Sequence, residues 1–514
     1  MHVALINTDG DIWSLGMRSI SSALRQAGYS TTMIFARLPP ASIDKSVIEA
    51  LAGLLDDSDI IGISSMAFGA PRAKKLIERL HYLKKPIVWG GIYPTIFPAD
   101  CINYADIICR GEGEEFMIEL AERIASGRSF TDIQNGVYRE NGNIIYNHLR
   151  PPIPIEKLPV PDFSFENEYI LDYGEKRPLL FRNAEMRYQE KIFIGGSRGC
   201  ANSCAFCSNS ALNRIYKGNG RYVRKIPIPR FIQIAKKYKE IFPRANKFLF
   251  TDEDFFAHSI EELKQFALMY PVEVGIPFEC TVSPPQTTKE KVALAFMAGV
   301  CQIDIGLESC SERVRKHVFN RYIDNATQKK ASDNIHAFPD IMAEYFLIVG
   351  NPYESKEDLI NGIHFLTELL PPFYLRPFNL VFLPGTNLYE RAFTDGIIKG
   401  VINSSSDNSF MELDFFAQDW KRKNLYLNSL FSMMYGKSTN VLIGFIPRQL
   451  IPFLLNRRIV TFFDRHSRIS EIVAAAVRTS VAFRLRTQPM SRQPAERALV
   501  LARIRLKKAL NTNQ

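Results

Sequence analysis

The sequence predicts an α/β protein: a doubly wound parallel sheet over residues 1–145, a partial (β/α)6 barrel over 191–395 and a mostly helical, basic region over 396–514, with 146–190 as a linker. Three observations predict it. Short apolar strands alternate with helix-period segments through the first 145 residues, the alternation resumes at Ile192 and runs to about Arg391, and beyond Gly396 it stops while the charge balance changes sign.

In the first part, strands at 3–7, 60–64 and 86–89 are separated by helical patterns at 15–27, closed by Gly28, and at 73–83. Ligands of such a sheet gather at the carboxyl ends of its strands. Prolines between 151 and 161 then break all periodicity. In the second part, strand candidates at 193–195, 248–251, 278–282, 302–306, 343–348 and 380–382 give six parallel strands, and chemistry on a barrel also sits at the carboxyl ends.

The composition, with 46% hydrophobic residues, is that of a globular protein, and eight cysteines in 514 residues are too sparse for a disulfide scaffold. No basic-then-apolar leader opens the chain and no uninterrupted run of about 18 apolar residues occurs. Both observations point to the cytoplasm. Of the 64 Lys and Arg, 18 fall in residues 421–514, against 3 of the 54 Asp and Glu, so the rest of the chain is mildly acidic.

The chemistry concentrates in the run Ser197–Cys207, where Cys200, Cys204 and Cys207 have the spacing C-x3-C-x2-C. Three thiolates this close can hold three irons of a cubane cluster and leave the fourth open. A zinc site would need a second Cys or His pair, and none follows; three buried structural cysteines are the other reading. Cys101, Cys109, Cys280, Cys301 and Cys310 form no second motif and read as inert buried thiols.

The spacing, with Phe206 just before the last cysteine, closely resembles the signature loop of the radical S-adenosylmethionine (SAM) enzymes. That resemblance implies a [4Fe-4S] cluster on Cys200, Cys204 and Cys207 whose open iron chelates the amino and carboxylate groups of SAM. Further runs appear in the order of that family. Asp252 and Glu253 stand where the family holds SAM's amino end, Glu308 and Ser309 resemble its Gly-x-Glu-Ser run near the ribose, and Gly350–Ser355 and Pro384-Gly385-Thr386 resemble later turns. The chain departs from the pattern at Tyr353, at Cys310 and at Thr281-Val282-Ser283.

The first part resembles the cobalamin-binding, Rossmann-like domains fused to one branch of this family, on Ser64 and Met66, on Gly90, Gly91, Tyr93 and Pro94, and on Glu112 within Arg110–Glu114. Gly90-Gly91 is also readable as a tight turn. Asp11, Trp13 and Gly16 resemble an Asp-x-His-x-x-Gly loop in which tryptophan replaces the cobalt-ligating histidine. Indole has no basic lone pair, so the lower face of cobalt would lack a protein ligand; plain core packing is the alternative for Trp13.

The resemblance implies a cobalamin-dependent radical SAM methyltransferase acting on an unactivated carbon of a small-molecule or lipid-like substrate, fed electrons by an external donor such as a flavodoxin or ferredoxin. A cyclase or ring-rearranging enzyme without net methyl transfer is the alternative, and a cobalamin-binding module with an idle barrel is a third reading. The apolar stretch 440–463 is interrupted by Pro447, Arg448, Pro452, Arg457 and Arg458. It is suited to lie peripherally in an anionic membrane interface or to cap the barrel. No recognisable RNA module points to nucleic acid.

Overall fold

A computed structural model of the chain describes residues 1–39, 42–173, 178–398, 424–474 and 476. Near-continuous apolar runs, as expected of strands covered on both faces, form β1 (His2–Asn7), β2 (Ser30–Ala36), β3 (Ile60–Ser64), β4 (Ile87–Gly90) and β5 (Ile107–Cys109), all parallel. One face is covered by α1 (Leu15–Gln26) and α6 (Glu114–Ala125), through Met17, Leu24, Phe116 and Leu120. The other is covered by α2 (Lys45–Leu55) and α3 (Ala70–Leu80), through Val47, Leu51, Leu76 and Leu80. Short helices α4 (Ile92–Ile96) and α5 (Pro98–Cys101) follow β4. Strand order reverses between β1 and β3, which makes the carboxyl ends of these two strands the expected ligand crevice.

Antiparallel β6 (Gly136–Glu140) and β7 (Asn143–Tyr146) extend the β5 edge. Beyond β2 lie β8 (Glu168–Tyr173), parallel, and β9 (Pro178–Arg182), antiparallel, completing nine strands in the order β7-β6-β5-β4-β3-β1-β2-β8-β9. The stretch 146–190, read from sequence as a linker, therefore contributes two strands. Its polar composition conceals them because Glu168 is fully buried against the equally buried Arg18, 2.5 Å away. Arg18 in turn lies over the rings of Phe35 and Phe163.

The second sheet runs β10 (Lys191–Ile194), β13 (Lys247–Phe250), β14 (Phe278–Val282), β15 (Val300–Glu308), β16 (Met342–Val349) and β17 (Phe373–Asn379), six parallel strands. A two-stranded ribbon, β11 (Ser197–Arg198) and β12 (Arg224–Lys225), stands at its upper rim. The sixth strand lies upstream of the expected 380–382. Its Arg376 pairs with Glu344 at 2.5 Å, and this half-polar strand reads less clearly than the apolar run that follows it.

Helices α7 (Ser208–Ile215) to α14 (Asn387–Thr394) surround the sheet: α8 (Ile228–Ile241), α9 (Ile260–Glu273), α10 (Lys289–Ala298), α11 (Glu312–His317), α12 (Asn325–His336) and α13 (Lys356–Glu368). Ser259, Thr288, Ser311, Asp324, Ser355 and Thr386 each accept a backbone N–H three residues on. These caps start the helices at fixed points after the loops.

Beyond 398 the described segment is integral to the barrel. Helix α15 (Leu425–Met433) places Tyr426, Leu430 and Phe431 in the barrel core, and β18 (Gly436–Ser438) pairs antiparallel with β17. It covers the edge that a half-open barrel leaves unpaired. Then come α16 (Ile451–Leu454) and α17 (Arg457–Arg465), with Phe463 stacked on Tyr426 at 4.1 Å. Among the described residues no helix is long and apolar enough to cross a membrane. The remainder of the region expected to be basic and mostly helical, 399–423 and most of 475–514, lies outside the described residues.

Candidate active site

The cysteine loop begins where the ribbon leaves β10. Gly199, with φ +82°, lies so near Tyr222 that a Cβ would stand 2.9 Å from its ring and carbonyl oxygen; glycine is required there. The loop is anchored at four points. Ala205 N–H donates to the Phe319 carbonyl at 2.8 Å, the Ala205 carbonyl accepts from Leu388 N–H at 2.8 Å, Asn213 donates to the Cys200 carbonyl at 2.7 Å and Asn320 to the Ser203 carbonyl at 2.9 Å. Phe206 lies edge-on to Phe319 with centroids 4.9 Å apart.

Cys204 is buried, and Cys200 and Cys207 are half-buried. Burial pushes all three thiols up, Cys207 to about 12, while the Arg321 charge opposes the rise at Cys204. Thiols held protonated in this way must lose their protons on ligation. Among the described residues no three His, Cys, Asp or Glu side chains converge on a single ion. A cubane takes each cysteine on a different iron, so its ligands stand apart.

A cavity of about 370 Å³ opens beside the loop, lined by Cys200, Cys204, Glu253, Asp254, Ser283, Arg321 and Tyr322. It carries carboxylates on one wall and a guanidinium on another, which suits a ligand with both an ammonium and a carboxylate. Arg321 donates to Cys204 Sγ at 3.8 Å, to Glu308 Oε1 at 3.3 Å and to the Gly306 carbonyl at 3.0 Å. Glu308 has φ +63°, at a shift in register between β15 and β16. The left-handed backbone, uncommon outside glycine, lets its carboxylate meet Arg321.

The other expected contacts divide. Glu253 lines the cavity, whereas the Asp252 carboxyl is buried behind it, accepting from Gly196 N–H at 3.2 Å, with burial raising it to about 6. Asp252 braces the strand end before the cysteines. Ser309 is turned away, donating to Glu354 at 3.1 Å and accepting from Ser311 N–H at 3.2 Å. Asp254 and Arg321, both on the cavity, were not among the residues singled out from sequence. Asp254 adjoins the expected pair, but no short motif marks Arg321, 13 residues beyond Glu308.

At the crevice of the first sheet, Ser64 and Gly90 sit half-buried at strand ends, and the side chains of Met66 and Phe68 are exposed. Large apolar side chains left open at a switch point suit a flat macrocycle. Asp9, also missed, takes Met66 N–H at 2.9–3.0 Å, and burial raises its carboxyl to about 6. Gly91, φ +107°, passes so close to Ser65 that a Cβ would lie 2.5 Å from its carbonyl oxygen.

Asp11 accepts from Trp13 N–H at 2.9 Å and Ser14 N–H at 3.1 Å, shaping the turn into α1, where Gly16 is exposed. Trp13 takes the core-packing role: its ring lies 5.0 Å from Phe193, 5.7 Å from Phe242 and 5.9 Å from Phe163, joining the two sheets' domains. Tyr93 is buried with its hydroxyl donating to Asp100 at 2.9 Å, Pro94 is buried beside it in α4, and Glu112 is held by two arginines of the barrel domain.

Residues 1–121 match the B12 binding domain family and residues 194–366 the Radical SAM superfamily. An uncharacterized methyltransferase of Pyrococcus horikoshii is 26% identical over 361 residues, 66% of this chain and 71% of the relative. The bacteriochlorophyllide d C-12(1)-methyltransferase of Chlorobaculum tepidum is 23% identical, over 65% of each chain. An anaerobic magnesium-protoporphyrin IX monomethyl ester cyclase of Rubrivivax gelatinosus is 22% identical over 66% of this chain and 59% of its own. In fold, the chain is similar to the radical SAM methyltransferase TsrM of Kitasatospora setae (TM-score 0.62, 13% identity, 94% of this chain and 99% of that one). It is similar also to the cobalamin-dependent enzyme OxsB (TM-score 0.60, 14% identity, 99% and 80%). With a B12 binding domain closed onto a barrel that carries the three-cysteine loop, the chain belongs to the cobalamin-dependent radical SAM enzymes.

Proposed function

We propose that this enzyme methylates an unactivated carbon of a small, largely apolar substrate, using a [4Fe-4S] cluster, SAM and cobalamin. The observation that carries the reading is the cavity in which Cys200 and Cys204 face both Arg321 and Glu253. When bound, the cluster and SAM supply a hydrogen-abstracting radical, and cobalamin supplies the methyl group.

The chain's own residues do the holding. Cys200, Cys204 and Cys207 take the cluster, Glu253 and Asp254 take an ammonium, Arg321 takes a carboxylate, and Glu308 accepts from hydroxyls. Ser64, Met66 and Gly90, with Phe68, take the edge of the macrocycle. Asp11, Trp13, Gly16, Tyr93, Pro94, Asp252 and Ser309 shape the loops that present these groups. Phe206 packs the cysteine loop in place and keeps water from it.

The test is product mass. Anaerobically reconstituted enzyme, reduced by flavodoxin or ferredoxin and given SAM with a deuterated methyl group, is expected to release 5′-deoxyadenosine and a product carrying that methyl. Deoxyadenosine with a product of unchanged methyl count would instead favour cyclisation or rearrangement, a second reading supported by the cyclase among the relatives.

The carboxyl-terminal segment favours a lipid-facing location. Val441, Phe453, Phe462 and Ile472 are exposed beside the exposed arginines Arg457, Arg458, Arg465 and Arg468. Apolar side chains flanked by arginines suit an anionic bilayer interface. Co-sedimentation with phosphatidylserine vesicles, weakened by salt and by Phe453→Ser with Phe462→Ser, is expected; equal recovery in the supernatant with and without vesicles would remove this reading.

A further inference from the structure

The loop 111–114, after β5 of the B12 binding domain, touches the cysteine loop on both of its flanks. On the amino side, Arg198, two residues before Cys200, donates to Glu112 Oε1 at 3.0 Å and to Glu114 Oε1 at 2.6 Å. Arg224, the register partner of Arg198 across the β11–β12 ribbon, donates to Glu112 Oε2 at 3.1 Å and also to Oε1. On the carboxyl side, Tyr216, which follows α7, accepts Glu112 N–H at 3.1 Å. A Cβ on Gly111 (φ +102°) would collide with that hydroxyl.

The Glu112 carboxylate has no room for a further partner, since Oε2 also accepts Ile153 N–H at 3.0 Å. Its side chain is 16% exposed, those of Arg224 and Glu114 8% and 4%. Removing Glu112 leaves the buried Arg224 without this carboxylate and Arg198 with Glu114 alone.

We propose that Glu112 is a positioning residue: gripped by Arg198 and Arg224, it seats the cysteine loop directly on the B12 binding domain and so fixes the separation of cluster and cobalamin. The inference rests on the cofactor assignment above. Its physical basis is that the metal-binding loop is registered to the other domain at both ends by one tetrapeptide. Without that grip, the Arg198–Glu114 pair, the Tyr216 contact and Trp13 would still tie the two domains, but none of them holds both strands of the ribbon that leads into Cys200. Transfer between two cofactors demands placement finer than these contacts alone maintain.

Three variants test this: Glu112→Gln, which loses the charge at constant shape, Glu112→Asp, which retracts it by one methylene, and Arg198→Gln, which leaves the Arg224 pair intact. Each is compared with wild type in two ways. In apo protein, hydrogen exchange is followed over 197–207 and over the β14 core. In protein loaded anaerobically with iron, sulfide and hydroxocobalamin, then reduced, relaxation of the cob(II) signal by the paramagnetic cluster reports their separation.

Expected are wild-type contents of iron and cobalamin, weakened and dispersed relaxation enhancement, and exchange over 197–207 faster by about tenfold or more, with β14 unchanged. Arg198→Gln is expected to lie between wild type and Glu112→Gln. Unchanged exchange and relaxation in folded variants would overturn the proposal, and so would loss of cobalamin alone with exchange unchanged, because Glu112 would then be a cofactor contact. Should wild type load neither cofactor, the assignment of cofactors fails, and the exchange measurement still decides whether the clasp exists.

Discussion

The guanidinium of Arg321 lies 3.8 Å from the sulfur of Cys204. A cation that reaches both a cysteine proposed to hold the cluster and the wall of the adjoining cavity is placed to hold an anionic group of whatever binds there. Arg321→Leu is expected to weaken SAM binding by about 10- to 100-fold, the worth of a charge-assisted hydrogen bond at about 1.5–3 kcal/mol. Anaerobic titration of the reduced cluster's electron paramagnetic resonance signal with SAM measures it. Unaltered affinity would restrict Arg321 to bracing Glu308.

Cys204→Ala removes one of the loop's three thiols, and among the residues lining the cavity no cysteine stands in for it. The reconstituted variant is expected to fall well short of about four irons per chain and to release no 5′-deoxyadenosine. Full iron content with intact SAM cleavage would contradict the assignment of the loop.

Trp13 packs among Phe193, Phe242 and Phe163, and the two histidines of the first 145 residues lie away from the crevice: His2 opens β1 and His81 follows α3. Trp13→Ala is therefore expected to cost about 3 kcal/mol in stability and to leave the spectrum of bound cobalamin unchanged. That spectrum is expected to lack nitrogen hyperfine structure from a protein imidazole. Its appearance would place a histidine where none is seen.

At the floor of the barrel, Gln302 bridges Asp304 at 2.8 Å and Glu344 at 2.6 Å. Burial, aided by the Glu344 charge, raises Asp304 from 3.8 to about 7. The folded protein thus holds a proton that the unfolded chain has lost between about pH 4 and pH 7, so this group's contribution to stability declines as pH rises through that window. Asp304→Asn is expected to gain stability relative to wild type, by at least about 1 kcal/mol, between pH 5 and pH 8. Urea denaturation at the two pH values reads the difference; a constant difference would mean that Asp304 ionises normally.

The Arg18–Glu168 pair, fully buried, ties α1 to β8, which the backbone ladder holds beside β2. Arg18→Met is expected to lower stability by about 3–5 kcal/mol, because the fully buried Glu168 loses its cationic partner. Arg18→Met combined with Glu168→Leu is expected to recover most of the loss.

Elements with one-sided or continuous apolar patterns were legible in the sequence: β1, β3, β4, β14 and the cysteine loop lie within a residue or so of their expected places. The misplaced features have separate causes. β8 hides behind Glu168, whose buried charge reads as a surface charge until its partner, distant in sequence, is known, and β17 is interrupted by the part-exposed Arg376, which pairs with Glu344. The same limit applies to the site. Cys200, Cys204, Cys207, Glu253 and Glu308 belong to contiguous motifs, whereas Arg321 acquires its meaning only when its loop folds back over Cys204. Trp13, Tyr93, Asp252 and Ser309 lie in motif positions, but their side chains are directed into the protein by Phe193, Asp100, Gly196 and Glu354.

Because β18 and α15 complete the barrel sheet and its core, the segment 424–470 is no removable appendage. Cutting it near 419 would strip the edge from β17 and take Tyr426, Leu430 and Phe431 from the barrel interior. A shortened enzyme that behaves differently toward vesicles would then report misfolding as readily as lost affinity. Trimming for crystallisation or for membrane assays should spare everything through the Ser470 hydroxyl, which closes onto the Phe463 carbonyl at 2.7 Å. The surface arginines and phenylalanines are better substituted within the intact protein.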